Sequence, residues 1–244
     1  MIPANIKTII HSLAIVAAAI ILSSGHAFSK SSISDAEVEE IMMDSPAAPV
    51  YVSIKKYFPD EAAVWRDMMR DLIQSQKNGT YTSANAIHAG GEIRRRHAPS
   101  LLSAPDPLLS QLITYQLSTY QIFQDSPDAC NRYLMEGAAA LSKPERDRLT
   151  PVLSDAEIVF EAMYAGETKP ITRGASTDAD WEQLFIAFGE QGFSDHLIDL
   201  VMEPDANNPE MCEAFISFFY VVATSDFEGA DRIRAEMAKA LMEF

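Results

Sequence analysis

The chain has 244 residues, 48% of them apolar and 22% charged, with 19 Lys and Arg against 35 Asp and Glu. That length and apolar fraction supply a buried core and exclude a disordered chain, and 10 Gly with 13 Pro exclude a collagen-like one. Two Cys are too few for a disulfide-dense miniature scaffold or a four-Cys zinc site, and a net charge of −16 excludes a general nucleic-acid binder, which neutralises phosphates with Lys and Arg.

Residues 1–27 have the three parts of a secretory signal. Lys7 and the amino terminus give a thin positive start. Ile9 to Leu22 is apolar apart from His11 and Ser12, and small Gly25 and Ala27 occupy the positions that a signal peptidase reads. The apolar run is short for a bilayer span, so cleavage after Ala27 is expected; an uncleaved inner-membrane anchor is the alternative. The domain then lies outside the cytoplasm, in the periplasm or cell exterior, and touches a membrane only through residues 1–27 if they are retained.

Residues 28–49 read as a tether with one short helix, opened by the capping box Ser34-Asp35-Ala36-Glu37 and stopped by Pro46 and Pro49. From Pro49 onward the periodicity is helical. Val64, Trp65, Met68, Met69, Leu72 and Ile73 form a stripe ending at Asn78-Gly79, and a helix from about Ser83 to His97 follows. Asp106-Pro107 opens a helix with Leu109, Leu112, Ile113, Leu117 and Tyr120 on one face, and Ser126-Pro127 opens another. Further helices are expected before Gly166, before Gly192 and after Asn208-Pro209. Ile233, Met237, Ala240, Leu241 and Phe244 make the terminal stripe. Phe215 to Val222 is apolar on every side, as a helix in the middle of a bundle is. No hairpin signal and no strand–helix alternation occurs. The expected fold is all-α, about eight helices in one domain over residues 50–244.

Cys130 and Cys212 both stand early in expected helices, after Ser126-Pro127-Asp128 and Asn208-Pro209-Glu210. In an exported protein they make a structural disulfide. The alternatives are a redox thiol, its pKa lowered by a helix N-terminus, and two buried free thiols.

Charge is uneven. Residues 101–244 hold 9 basic and 25 acidic side chains, and no Lys or Arg lies between Arg173 and Arg232, an interval with 13 acids. Solubility is one account of this. The other is a negative face that steers a cationic protein or ligand, with Asp195, Asp199, Glu203 and Asp205 as its contact residues. Arg94-Arg95-Arg96-His97 suits a helix C-terminus, where cations meet the negative dipole, or else contacts anionic lipid or an acidic face of the same chain.

No catalytic, cofactor or metal motif occurs: there is no GxSxG, P-loop, HExxH or dinucleotide glycine pattern. His196 beside Asp195 and Asp199 is a conceivable metal or acid–base group. The expected function is an exported, non-enzymatic binding protein. The alternatives are a carrier of an apolar small molecule in a helical cavity, an inhibitor or immunity protein against a basic toxin or cell-wall hydrolase, and an enzyme with an unrecognised site. Protein isolated from its native host is expected to begin at Phe28 by intact mass or N-terminal sequencing; retention of residues 1–27 would favour the anchor.

Overall fold

The structure, a computed structural model, describes residues 33–80 and 91–243. The expected signal segment and residues 83–90 of the expected Ser83–His97 helix lie outside the described residues. Twelve α-helices and no strand occur among the described residues, in one body. Prolines and glycines cut the chain into shorter pieces than the expected eight.

The first helix, α1 (Asp35–Met43), opens on the capping box: Ser34 accepts from the Glu37 backbone N–H, and Glu37 accepts from that of Ser34. Residues 33–49 are not a tether as expected. Ile33, Val38, Met42 and Ala47 are buried, so this amphipathic segment is part of the core. Helices α2 (Ala48–Tyr57) and α3 (Pro59–Lys77) follow, α3 ending at Asn78 before Gly79 in the left-handed region. In α3 the buried stripe is Trp65, Met69, Leu72 and Ile73; Val64 turns out to solvent. The described part of α4, 91–97, leads into a 3-10 turn at Ala98–Ser103.

Helix α5 (Asp106–Gln121) buries the apolar face expected for it. Helix α6 (Pro127–Glu136) starts after Ser126, and short α7 (Lys143–Asp147) and a 3-10 turn at Thr150–Asp155 lead to α8 (Glu157–Thr168). Helix α8 does not stop before Gly166. A Cβ there would stand 2.1 Å from the Ser100 carbonyl oxygen, so Gly166 is the residue that lets α8 cross the Ala98–Ser103 turn at contact distance. The Ser100 hydroxyl closes the crossing by donating to the Met163 carbonyl at 2.9 Å.

The last four helices are α9 (Asp178–Glu190), α10 (Asp195–Met202), α11 (Met211–Thr224) and α12 (Ala230–Glu243). Helix α11 begins two residues later than Asn208-Pro209 implied, because Asn208 uses its side chain in a turn, accepting from the Glu210 N–H at 2.9 Å. As expected, α11 lies inside the bundle. It packs on α5, α6, α9, α10 and α12, and Phe215, Phe218, Phe219, Val221 and Val222 are buried.

Both ends of α11 are pinned. At its start Cys212 is bridged to Cys130 of α6, with Cα atoms 5.7 Å apart. At its end, buried Arg234 donates to the Val222 and Ser225 carbonyls at 3.1 and 2.7 Å and to both Asp106 oxygens at 2.7 and 2.8 Å. The bridge closes a loop of 82 residues, which on the chain-entropy account stabilises by about 4–5 kcal/mol. Denatured, unreduced protein is therefore expected to show no labelled thiol. Cys130→Ala/Cys212→Ala is expected to lower the unfolding free energy by about 2–5 kcal/mol in denaturant titration, with α-helical circular dichroism retained in the absence of denaturant.

Candidate functional site

The acidic interval runs from the start of α9 through α10, α11 and their connections to the first turn of α12. Of its 13 carboxylates, Asp180 is buried and Asp231 half-buried, and the others are exposed. The two Arg residues that flank the interval are turned onto those two carboxylates. Arg173 Nε donates to Asp231 at 2.7 Å, and Arg232 grips Asp180 with Nη2 at 2.6 Å and Nε at 2.9 Å. These nearest cations are thus spent inside the fold, leaving the exposed carboxylates of α9 and α10 to set the field over the face.

Asp180 has three roles. It is the N3 acid of a capping box with Thr177, accepting from the Thr177 N–H at 2.7 Å. It ties the start of α9 to the start of α12 through Arg232. It also abuts Gly229, whose φ of 102° and 2.1 Å Cβ-to-Asp180 approach leave room for glycine only. The paired guanidinium, with the two cap bonds, pulls the Asp180 carboxyl down to about 2.

Between α9 and α10 runs an open groove lined by Asp178, Trp181, Glu182, Phe185, Ile186, Asp195 and Ile198. Its floor is apolar and includes Ile186, 47% exposed; its rim is carboxylate. The four acids chosen from sequence separate here. Asp195 lies on the rim, although it is also the first residue of α10 after its cap Ser194, so part of its presence is a helix-start preference. Asp199 is exposed on α10, one turn further on, and Glu203 is the exposed cap at its end. Asp205 is exposed too, but it builds the following turn, accepting from the Asn207 N–H at 2.9 Å. Sequence reasoning missed Phe185, Ile186 and Ile198 as a shared floor, because periodicity assigns them to separate helices.

His196 does not join Asp195 and Asp199. Its Nε2 lies 2.9 Å from Glu210 Oε2 at the surface, and no cluster able to hold a metal occurs among the described residues. The basic run at the end of α4 is turned inward or onto its own chain. Arg96 pairs with Glu61, His97 Nδ1 lies 2.6 Å from Glu167 Oε1, and its ring stacks on Phe58 with centroids 4.1 Å apart. The cluster therefore staples α3, α4 and α8. Arg94 is buried, 2% exposed, beside a cavity of about 50 Å³. That space suits a few water-sized groups.

No family model, curated protein or solved structure matches the chain. Its class rests on the fold and the site: a disulfide-bonded all-α protein with a grooved acidic face. No described helix is long and apolar enough to cross a membrane.

The Asp180–Arg232 pair makes a pH prediction. Folding lowers the Asp180 pKa from 3.8 to about 2, so its stabilisation is complete above about pH 4 and is lost as pH falls through 2. The linkage is about 2 kcal/mol at most, reduced by screening because the Arg232 side chain is 26% exposed. Asp180→Asn keeps the cap and removes the charge. It is expected to cost about 1–2 kcal/mol in urea unfolding at pH 7 and close to nothing at pH 2. An equal cost at both pH values would refute the ion-pair assignment.

Proposed function

We propose that the protein is exported and acts as a non-enzymatic binding protein whose acidic C-terminal face engages a cationic partner. The observation that carries this reading is the α9–α10 groove, an apolar floor with a carboxylate rim and no Lys or Arg in the surrounding interval. Such a surface offers desolvation energy at its centre and electrostatic attraction at its edge. A surface that served solubility alone would mix signs. The signal-like residues 1–27 support export to the periplasm or cell exterior, and the Cys130–Cys212 bridge fits an oxidising compartment.

The test combines capture of partners from the source, at low and high salt, with a defined probe. The probe is a synthetic Lys/Leu helical peptide, its association followed by stopped-flow fluorescence of Trp181 at the groove. Exposed charges are screened over a Debye length of about 8 Å at physiological salt and act mainly on association rate. Neutralising Glu182, Asp195, Asp199 and Glu203 together, to Gln or Asn, is expected to slow association about tenfold at low salt, with the difference shrinking at high salt. Asp205 is left intact because it holds its turn. Equal rates and equal salt dependence for the two proteins would reduce the acidic face to a solubilising surface.

A further inference from the structure

Along α9 the groove residues Asp178, Trp181, Glu182, Phe185 and Ile186 recur at three to four positions, so one face of that helix lines the groove for about 12 Å, or two turns. On the floor Ile186 is 47% exposed, and Phe185 and Ile198 are half-buried. Exposed Asp178 and Glu182 stand on the α9 wall and exposed Asp195 on the α10 wall. We infer that this groove seats a basic amphipathic α-helix of a partner protein, its apolar side chains on the floor and its Lys or Arg residues along both flanks. The inference rests on the acidic face being a binding face, and adds the shape of what is bound.

Three observations select a helix of that chemistry. No strand occurs among the described residues, so the groove gives an extended segment no sheet edge to pair with. Such a segment would lay unpaired N–H and C=O groups on an apolar floor, whereas a helix pairs its own. Helices that dock in grooves anchor at i, i+3, i+4 and i+7, which is the two-turn span of the floor along α9. Carboxylates on both walls, with no Lys or Arg between Arg173 and Arg232, complement cations on both flanks of the docked helix. The same charge opposes a second copy of this chain, which would meet the face carboxylate to carboxylate.

The experiment titrates the full mature protein with four synthetic peptides of equal length. One is a Lys/Leu helix with Leu at i, i+3, i+4 and i+7; one has the same composition permuted to spread Leu around the helix; one alternates Leu and Lys with the period of a strand; one is a Glu/Leu amphipathic helix. Spermine is the small-cation probe. Affinity is read by calorimetry, and the bound peptide's backbone by Cα chemical shifts of isotope-labelled Leu, which in a short free peptide are not those of a stable helix. The Lys/Leu amphipathic helix is expected to bind about tenfold tighter than every other probe, with helical shifts in the complex. Ile186→Ser, at an exposed position, is expected to weaken it about fivefold at low and high salt alike, and to leave the permuted peptide unchanged. Equal binding of all the cationic probes, a bound peptide without helical shifts, or unaltered binding by Ile186→Ser would overturn the helical seat and leave a purely charge-driven acidic face standing. No binding of any cationic probe at low salt, or a Glu/Leu helix bound as tightly as the Lys/Leu one, would overturn the acidic-face reading and the seat together. A dimer in sedimentation that Ile186→Ser abolishes would assign the groove to a second copy and also overturn the proposal.

Discussion

Helix α11 has almost no solvent face, and the rest of the bundle answers to that. Burying apolar area on all sides of one helix is the largest favourable term that a fold of this kind has, and it requires neighbours around the whole circumference. Five helices supply them. Tyr220 marks the narrow strip left to solvent. A buried helix leaves carbonyl groups at its end that water does not reach, and Arg234 satisfies those of Val222 and Ser225 while Asp106 compensates its charge. The Ser110 hydroxyl adds a bond to the Ala223 carbonyl at 2.7 Å. The C-terminal end of α11 is therefore closed by residues from α5 and α12, and its start by a covalent bond to α6.

With α11 fixed, α9 and α10 are held with their polar faces outward. The acidic face is thus a product of the packing as much as of composition. Asp180 and Asp231 go inward to Arg232 and Arg173, and the remaining carboxylates of the interval stay in solvent. The groove between α9 and α10 is what remains where both helices bury Leu184, Phe188, Leu197, Leu200 and Val201 and leave Phe185, Ile186 and Ile198 at the seam. A charged rim around a seam of that kind joins attraction at long range to burial at short range.

The basic run of the chain divides between core and surface. The run at residues 94–97 begins with a side chain driven into the core and ends with two that bind carboxylates on other helices. Arg96, itself exposed, pairs with Glu61 and His97 with Glu167, neither of which belongs to the acidic interval, so these two contacts are with carboxylates of α3 and α8 and not with the acidic face named from sequence. Arg94 differs from its neighbours because consecutive helical positions are about 100° apart, and one of any four points inward.

The sequence by itself determined the helical class, the boundaries set by local chemistry and the central helix. Ser34/Glu37 and Thr177/Asp180 cap their own helix starts, and Phe215 to Val222 declares burial because it has no charged residue and only Ser217 and Tyr220 carry a hydroxyl. The Cys130–Cys212 bridge was the expectation drawn from the signal-like segment, and two Cys allow one intramolecular pairing. Tertiary structure alone decided the rest. Residues 33–49 became core because α2 and α3 offered an apolar surface to a weakly amphipathic helix. Gly166 stayed inside α8 because Ser100 crosses it, and a glycine that stops one helix in isolation permits contact in another. The α9–α10 groove, the Asp180–Arg232 and Asp106–Arg234 pairs, and the cavity beside Arg94 join residues far apart in sequence. Local periodicity carries which face of a helix is apolar; which other helix meets that face is set by packing across the whole chain.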